Sequence, residues 1–122
     1  MTHNESSEDY LESILVLSKR LPVVRAVDIC HELDFKKSSV SIAMKNLREK
    51  GLITVTEAGF IYLTEEGMKI ASSVYERHEV LTRCLTLLGV NEETAAEDAC
   101  RLEHVLSEES FEAIKKHVRK YS

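Results

Sequence analysis

The chain has 122 residues, 43% hydrophobic and 30% charged, which suits one compact domain or two small units of a water-soluble globular protein. No apolar run approaches the roughly 18 residues of a membrane span, so a membrane partner is not expected. The net charge of −5 argues at first against nucleic acid, but residues 19–50 hold eight basic against four acidic side chains while residues 91–112 hold eight acidic against one basic.

Scarce breakers, one proline (Pro22) and four glycines, predict a mostly helical chain. A first helix is expected from about Ser7, with Ser6 and Asp9 in a capping pattern, and it ends before Pro22. Tyr10, Leu11, Ile14, Leu15 and Leu17 form its apolar face. A second helix runs over about 25–33, with Ala26, Ile29, Cys30 and Leu33 inward, and residues 34–37 form a tight turn. Ser38 is expected to cap a third helix with Val40, Ala43, Met44 and Leu47 as its buried stripe, stopped by Gly51.

Residues 52–56 and 60–64 are rich in Thr, Val, Ile, Phe and Tyr, with Ala58-Gly59 between them, and predict a β-hairpin. Thr64 should cap a long helix reaching about Leu88 and closed by Gly89. Asn91 should cap a helix reaching about Leu106, and Ser107 the last one, ending near Tyr121. There is no internal repeat and no low-complexity linker.

Two short helices, a turn, a third helix and a hairpin are the order of a winged helix-turn-helix. The outward face of the third helix is polar: Lys36, Lys37, Ser38, Ser39, Ser41, Lys45, Asn46 and Arg48. Lysines and hydroxyls near a helix N-terminus suit phosphate, while Ser39, Ser41, Ile42 and Asn46 are placed to reach base edges of double-stranded operator DNA. The wing tip, Glu57-Ala58-Gly59, is not basic and is expected to add little. Winged helices also serve as pure protein-binding modules, so the pattern alone leaves both readings open.

The chemically richest stretch is Cys100-Arg101-Leu102-Glu103-His104. On a helix, positions i, i+3 and i+4 share a face, so a thiol, a carboxylate and an imidazole would converge on one point. Asp9 and Glu12 form a second i, i+3 pair, and His78 lies on the long helix. Each has a plainer alternative: a small buried cysteine, a hydrogen-bonded histidine, and first-turn acids favoured by the helix dipole. An odd count of three cysteines (Cys30, Cys84 and Cys100) argues against a disulfide framework. With the polar, acidic opening of residues 1–8, unlike a signal peptide, it predicts a cytoplasmic protein.

Several segments occur in the order and spacing of a known family. They are Glu8-Asp9-Tyr10-Leu11-Glu12, Ser38-Ser39-Val40-Ser41, Leu63-Thr64-Glu65-Glu66-Gly67, Arg77-His78-Glu79 and Leu88-Gly89-Val90. The fullest runs from Glu97-Asp98-Ala99-Cys100 through Arg101-Leu102-Glu103-His104 to Val105-Leu106-Ser107. Over nearly its full length the chain resembles the diphtheria toxin repressor and manganese transport regulator family of metal-dependent transcriptional repressors.

The resemblance implies a winged helix-turn-helix over residues 1–64, followed by an all-helical dimerisation and metal-binding domain over residues 65–122. It implies a homodimer, which a chain this short also favours because alone it buries little apolar surface. It implies that Asp9, Cys100, Glu103 and His104 surround the principal cation and that Glu12 and His78 belong to a neighbouring second site. An acid at position 9 is like the manganese regulators, and a cysteine at position 100 is like the iron-responsive members. Thr82 and Ala96 stand where the iron-type ancillary site has a carboxylate and a histidine. Members often carry a further small β-barrel; this sequence ends at Ser122, as the shorter manganese-type regulators do.

Carboxylates and imidazole suit Mn(II) and Fe(II), and a thiolate shifts preference toward iron, cobalt, nickel or zinc. The expected cofactor is therefore Mn(II) or Fe(II), with Co, Ni or Zn able to substitute. The rival reading is a winged-helix repressor that senses an organic ligand or thiol oxidation at Cys100. No glycine-rich phosphate loop and no nucleophile elbow is present, so neither an enzyme nor a small-molecule substrate is expected.

Overall fold

The computed structural model describes residues 3–121. Six helices and one two-stranded hairpin follow in the order α1 (His3–Arg20), α2 (Ala26–Leu33), α3 (Lys37–Glu49), β1 (Ile53–Val55), β2 (Ile61–Leu63), α4 (Glu65–Leu87), α5 (Glu92–Leu102) and α6 (Glu108–Tyr121). The mostly helical winged-helix class read from the sequence is the fold observed. Contacts divide the chain into two compact units, Met1–Ser72 and Ser73–Ser122. Among the described residues no helix is long and apolar enough to cross a membrane.

In the first unit α1, α2 and α3 pack on one another, with α1 and α3 also against the hairpin. Leu11, Ile14, Ile29, Val40, Leu47 and Ile53 are the large side chains buried almost completely. Val40, Met44 and Leu47 fall at i, i+4 and i+7, so α3 turns one stripe inward and leaves the rest to solvent. Each such burial contributes about 1.5–3 kcal/mol. α1 opens at His3, ahead of Ser6, so Ser6 is not its cap. Nothing in residues 3–6 breaks a helix, and the helix simply continues back through them; the Ser6 side chain lies outside the described residues.

Ser38 does not cap α3 either. Asp34 takes the left-handed conformation (φ 56°), which turns the chain sharply enough that Lys36 is already the N-cap and Ser38 lies inside the helix. α3 stops where expected. Gly51 sits at φ +77°, open to glycine without strain, and the N–H groups of Gly51 and Leu52 close on the carbonyls of Arg48 and Leu47 at 3.0 Å each.

The strands are shorter than the predicted five residues. They pair antiparallel with Thr54 opposite Tyr62. The turn tightens early because the Gly59 N–H reaches the Thr56 carbonyl at 2.9 Å. The outer edge of β2 is partly covered: Ile61 N–H donates to the Val24 carbonyl at 2.8 Å.

Thr64 then joins hairpin to helix. Its hydroxyl donates to the Gly51 carbonyl at 2.7 Å and accepts from Gly67 N–H at 3.1 Å. Gly67 packs directly on the chain at Leu52; a Cβ there would lie 2.0 Å from the Leu52 carbonyl oxygen. The glycine is thus required by close approach of two backbones.

In the second unit Val74, Leu81, Ala95, Ala99, Phe111 and Val118 are buried. α4 ends with Gly89 and Val90 donating to Thr86 and Leu85 at 3.0 Å each. Asn91 Oδ1 accepts from Glu93 N–H at 2.9 Å, and Ser107 Oγ from Ser110 N–H at 3.1 Å, so both predicted caps are in place. α5 ends at Leu102, short of the predicted Leu106. The Lys115 ammonium meets Glu76 at 2.7 Å, which fastens α6 to α4.

Candidate metal centre

The Cys100–His104 stretch does not lie on one continuous helix. Cys100 is within α5, and Glu103 is its C-cap, still right-handed (φ −61°, ψ −21°) with its N–H on the Ala99 carbonyl. His104 lies in the turn that follows. Because Glu103 keeps helical angles, it stays on the Cys100 face as the i, i+3 spacing anticipates. His104 is placed by the turn instead.

His78 joins them from α4. Its Nδ1 lies 3.9 Å from Cys100 Sγ and 3.6 Å from Glu103 Oε2. One ligand atom from each of His78, Cys100 and Glu103 falls within 4.8 Å of the others. His104 Nε2 lies 3.6 Å from the other Glu103 oxygen, Oε1. Donor atoms around a common first-row cation, each about 2.0–2.3 Å from it, are roughly 3–4 Å apart. The observed spacings are close to that.

Glu103 lies between the two imidazoles. It is only 2% exposed, yet neither carboxylate oxygen has a hydrogen-bond partner. Contacts of 3.6 Å to two imidazoles are longer than hydrogen bonds. A buried carboxylate held this way is costly unless a positive charge completes its surroundings. The donor set of thiol, imidazole and carboxylate fits a divalent transition metal in chemistry as well as in spacing. Close to Cys100 and to the Glu103 carboxylate, the His78 imidazolium is favoured, its pKa pushed up to about 10 against the pull of burial. A protonated His78 would offer the compensating charge, and as a metal ligand it would have to be neutral.

Asp9 and Glu12 lie one turn apart on α1 in the first unit, both half-buried. Cys100 is exposed, and the His104 ring is only 5% exposed. Of the predicted DNA-contacting residues, Lys36, Lys37, Ser38, Ser39, Ser41, Ile42, Lys45 and Asn46 are all exposed, the first as the N-cap of α3 and the rest on it. Ile42 is an apolar side chain 63% exposed in the middle of that polar face. Arg77 has a place in the site that its presence in the segment Arg77-His78-Glu79 did not specify. Its guanidinium donates to the carbonyls of Glu103 at 3.1 Å and Leu106 at 2.9 Å. Its position beside His78 was the available signal.

Comparison with known proteins accounts for this arrangement. Residues 3–59 match the family model described as "Iron dependent repressor, N-terminal DNA binding domain". Residues 64–122 match "Iron dependent repressor, metal binding and dimerisation domain". The transcriptional regulator MntR of Escherichia coli O6:H1 is 34% identical over 117 residues, covering 96% of this chain and 76% of that one. The chain belongs to the diphtheria toxin repressor and manganese transport regulator family.

As a member of that family it is a metal-dependent transcriptional repressor and not an enzyme. An uncharacterised helix-turn-helix-type regulator of Methanocaldococcus jannaschii is 33% identical over 120 residues, covering 97% of this chain and 96% of that one. Among solved structures, the manganese regulator SloR is 28% identical with a TM-score of 0.82; the match covers 93% of this chain and 53% of that one. His78, Cys100, Glu103 and His104 all fall in the part matched to metal binding and dimerisation, and α3 in the part matched to DNA binding. The family places the regulatory signal with a metal, which sets aside a purely organic or oxidative signal.

Proposed function

We propose that the protein is a homodimeric repressor that binds double-stranded operator DNA when loaded with Mn(II) or Fe(II), and so controls metal-ion homeostasis in the cytoplasm. The carrying observation is the buried Glu103 carboxylate without a hydrogen bond, set between His78 and His104 and beside Cys100. As the family resemblance implies, Asp9 of α1 would join Cys100, Glu103 and His104 around the principal cation, and Glu12 would join His78 in a neighbouring second site. A bound divalent cation supplies the positive charge that these acids lack and an anchor common to them.

The chain's own residues do the rest. Glu103 and His104 hold the ligating turn, His78 gives up its proton, and Cys100 offers a thiolate from α5. Asp9 and Glu12 sit on the helix that opens the first unit, so their engagement sets the reading unit's position and thereby the spacing of two α3 helices on two half-sites. Lys36, Lys37, Ser38 and Lys45 contact phosphates; Ser39, Ser41, Ile42 and Asn46 face base edges, with Ile42 suited to a thymine methyl. Exposed Leu87, Leu88 and Tyr121 border a cavity of about 330 Å³ on the second unit and support a second copy as the partner.

The thiolate softens the site, so Co(II), Ni(II) and Zn(II) also bind, and the metal supply of the cell takes part in the choice. The test is to select duplexes from a random pool with Mn(II) present, then measure their affinity with each metal, Fe(II) under anaerobic conditions. The expected result is that Mn(II) or Fe(II) strengthens binding at least tenfold. Equal affinity in chelator would overturn the reading.

A further inference from the structure

We propose that Arg77 is a positioning residue of the metal centre, whose guanidinium holds the turn after α5 so that Glu103 and His104 present their side chains to the cation. The proposal rests on the ligand set proposed above. It starts from a problem in the backbone. α5 stops at Leu102, yet residues 103–107 contain neither glycine nor proline to stop it. The Leu102 carbonyl takes the N–H groups of Val105 and Leu106 at 3.1 and 3.3 Å, which bends the chain back on itself. The carbonyls of Glu103 and Leu106 are met by Arg77 Nη1, at 3.1 and 2.9 Å.

The clasp is itself held. Arg77 Nη2 meets the Glu108 carboxylate at 3.0 Å, and the guanidinium lies over the Phe111 ring, 5.0 Å from its centroid. The side chain is only 14% exposed. A planar fork that serves two carbonyls, a carboxylate and a ring is a task for arginine and not for a single ammonium. Arg77 is also the neighbour of His78. One turn of α4 therefore delivers a ligand and fixes the turn bearing two others.

The ligands divide accordingly. Cys100 is carried by the regular part of α5, and His78 by α4; neither needs the clasp for its backbone conformation. Glu103 and His104 do need it. Loss of the guanidinium would damage half of the site and spare the other half, which a general packing defect would not do.

The full chain is titrated with Co(II), read by two bands: the thiolate-to-cobalt charge transfer that reports Cys100, and the visible d–d bands that report the whole ligand set. Wild type is expected to show both. Arg77→Met is expected to keep its helical circular dichroism and the charge-transfer band, with altered d–d bands and Co(II) affinity lowered at least tenfold. Wild-type spectrum and affinity in Arg77→Met would overturn the proposal, and so would parallel loss of both bands, the mark of general unfolding around the site. If Arg77→Met does not fold, Arg77→Lys decides: it keeps the charge and the stem over Phe111, and wild-type binding there overturns the need for the fork. Absence of both bands in wild type would instead overturn the ligand set, and the clasp's role with it.

Discussion

α3 and α5 end in opposite ways. α3 ends on Gly51, whose left-handed backbone lets its own N–H and that of Leu52 close on carbonyls of the same helix. That stop is local. α5 ends on Glu103 in ordinary right-handed geometry, and the carbonyls beyond its end are taken by Arg77, 26 and 29 residues away in sequence. That stop is made by the tertiary fold. The helix that reads DNA in this account is terminated by its own residues, whereas the turn that holds the metal ligands depends on a distant side chain. A local stop keeps α3 a rigid unit. A remote one ties the conformation of Glu103 and His104 to α4, which also bears His78.

The sharpest way to break the local side is Gly67→Ala. Its new Cβ would overlap the carbonyl of Leu52, the same residue whose N–H completes the stop of α3. Both partners are backbone, so the start of α4 must shift, at a cost of about 3 kcal/mol in urea unfolding of the first unit. A loss below about 1 kcal/mol would show that the contact is soft. Gly51→Ala tests the stop more gently: a left-handed alanine costs about 1 kcal/mol, and Co(II) affinity should not change. A large loss of metal binding in that variant would mean that the two ends are not independent.

The remote side carries a pH dependence. Folding raises the His78 pKa from 6.5 to about 10. The ion pair therefore stabilises the metal-free protein fully below about pH 6.5 and is lost as pH rises toward about 10. Because His78 is partly exposed, the stabilisation is screened. As a ligand His78 would have to lose the same proton, which would raise metal affinity close to tenfold per pH unit up to about pH 10. Calorimetry in buffers of different ionisation enthalpy counts the proton released. Affinity flat between pH 7 and 8 would contradict a His78 that is protonated in the metal-free protein and displaced of its proton by the metal.

The same contrast explains what could be read from the sequence. Val40, Met44 and Leu47 mark the buried face of α3 because their spacing is a property of a few consecutive residues. Gly51, Thr64, Asn91 and Ser107 mark element ends because each acts on N–H or carbonyl groups within its own turn or the next. Ser38 misleads because, after the left-handed Asp34, the helix is already capped at Lys36, two residues earlier. Cys100 and Glu103 were legible from their helical spacing. Their closeness to His78 was not legible from spacing, since 22 residues separate His78 from Cys100, and entered only through the family resemblance. Nor was the early end of α5, which no residue of α5 or of the turn encodes by itself.

The buried Glu103 carboxylate is where the proposed cation would bind. Thermal unfolding of the wild type and of Glu103→Gln, each with chelator and with Mn(II), tests this directly. Mn(II) at about a hundred times its dissociation constant adds about 2.7 kcal/mol, so the wild-type midpoint should rise by roughly 10 °C, and that of the variant by almost nothing. An equal rise in both proteins would contradict the account.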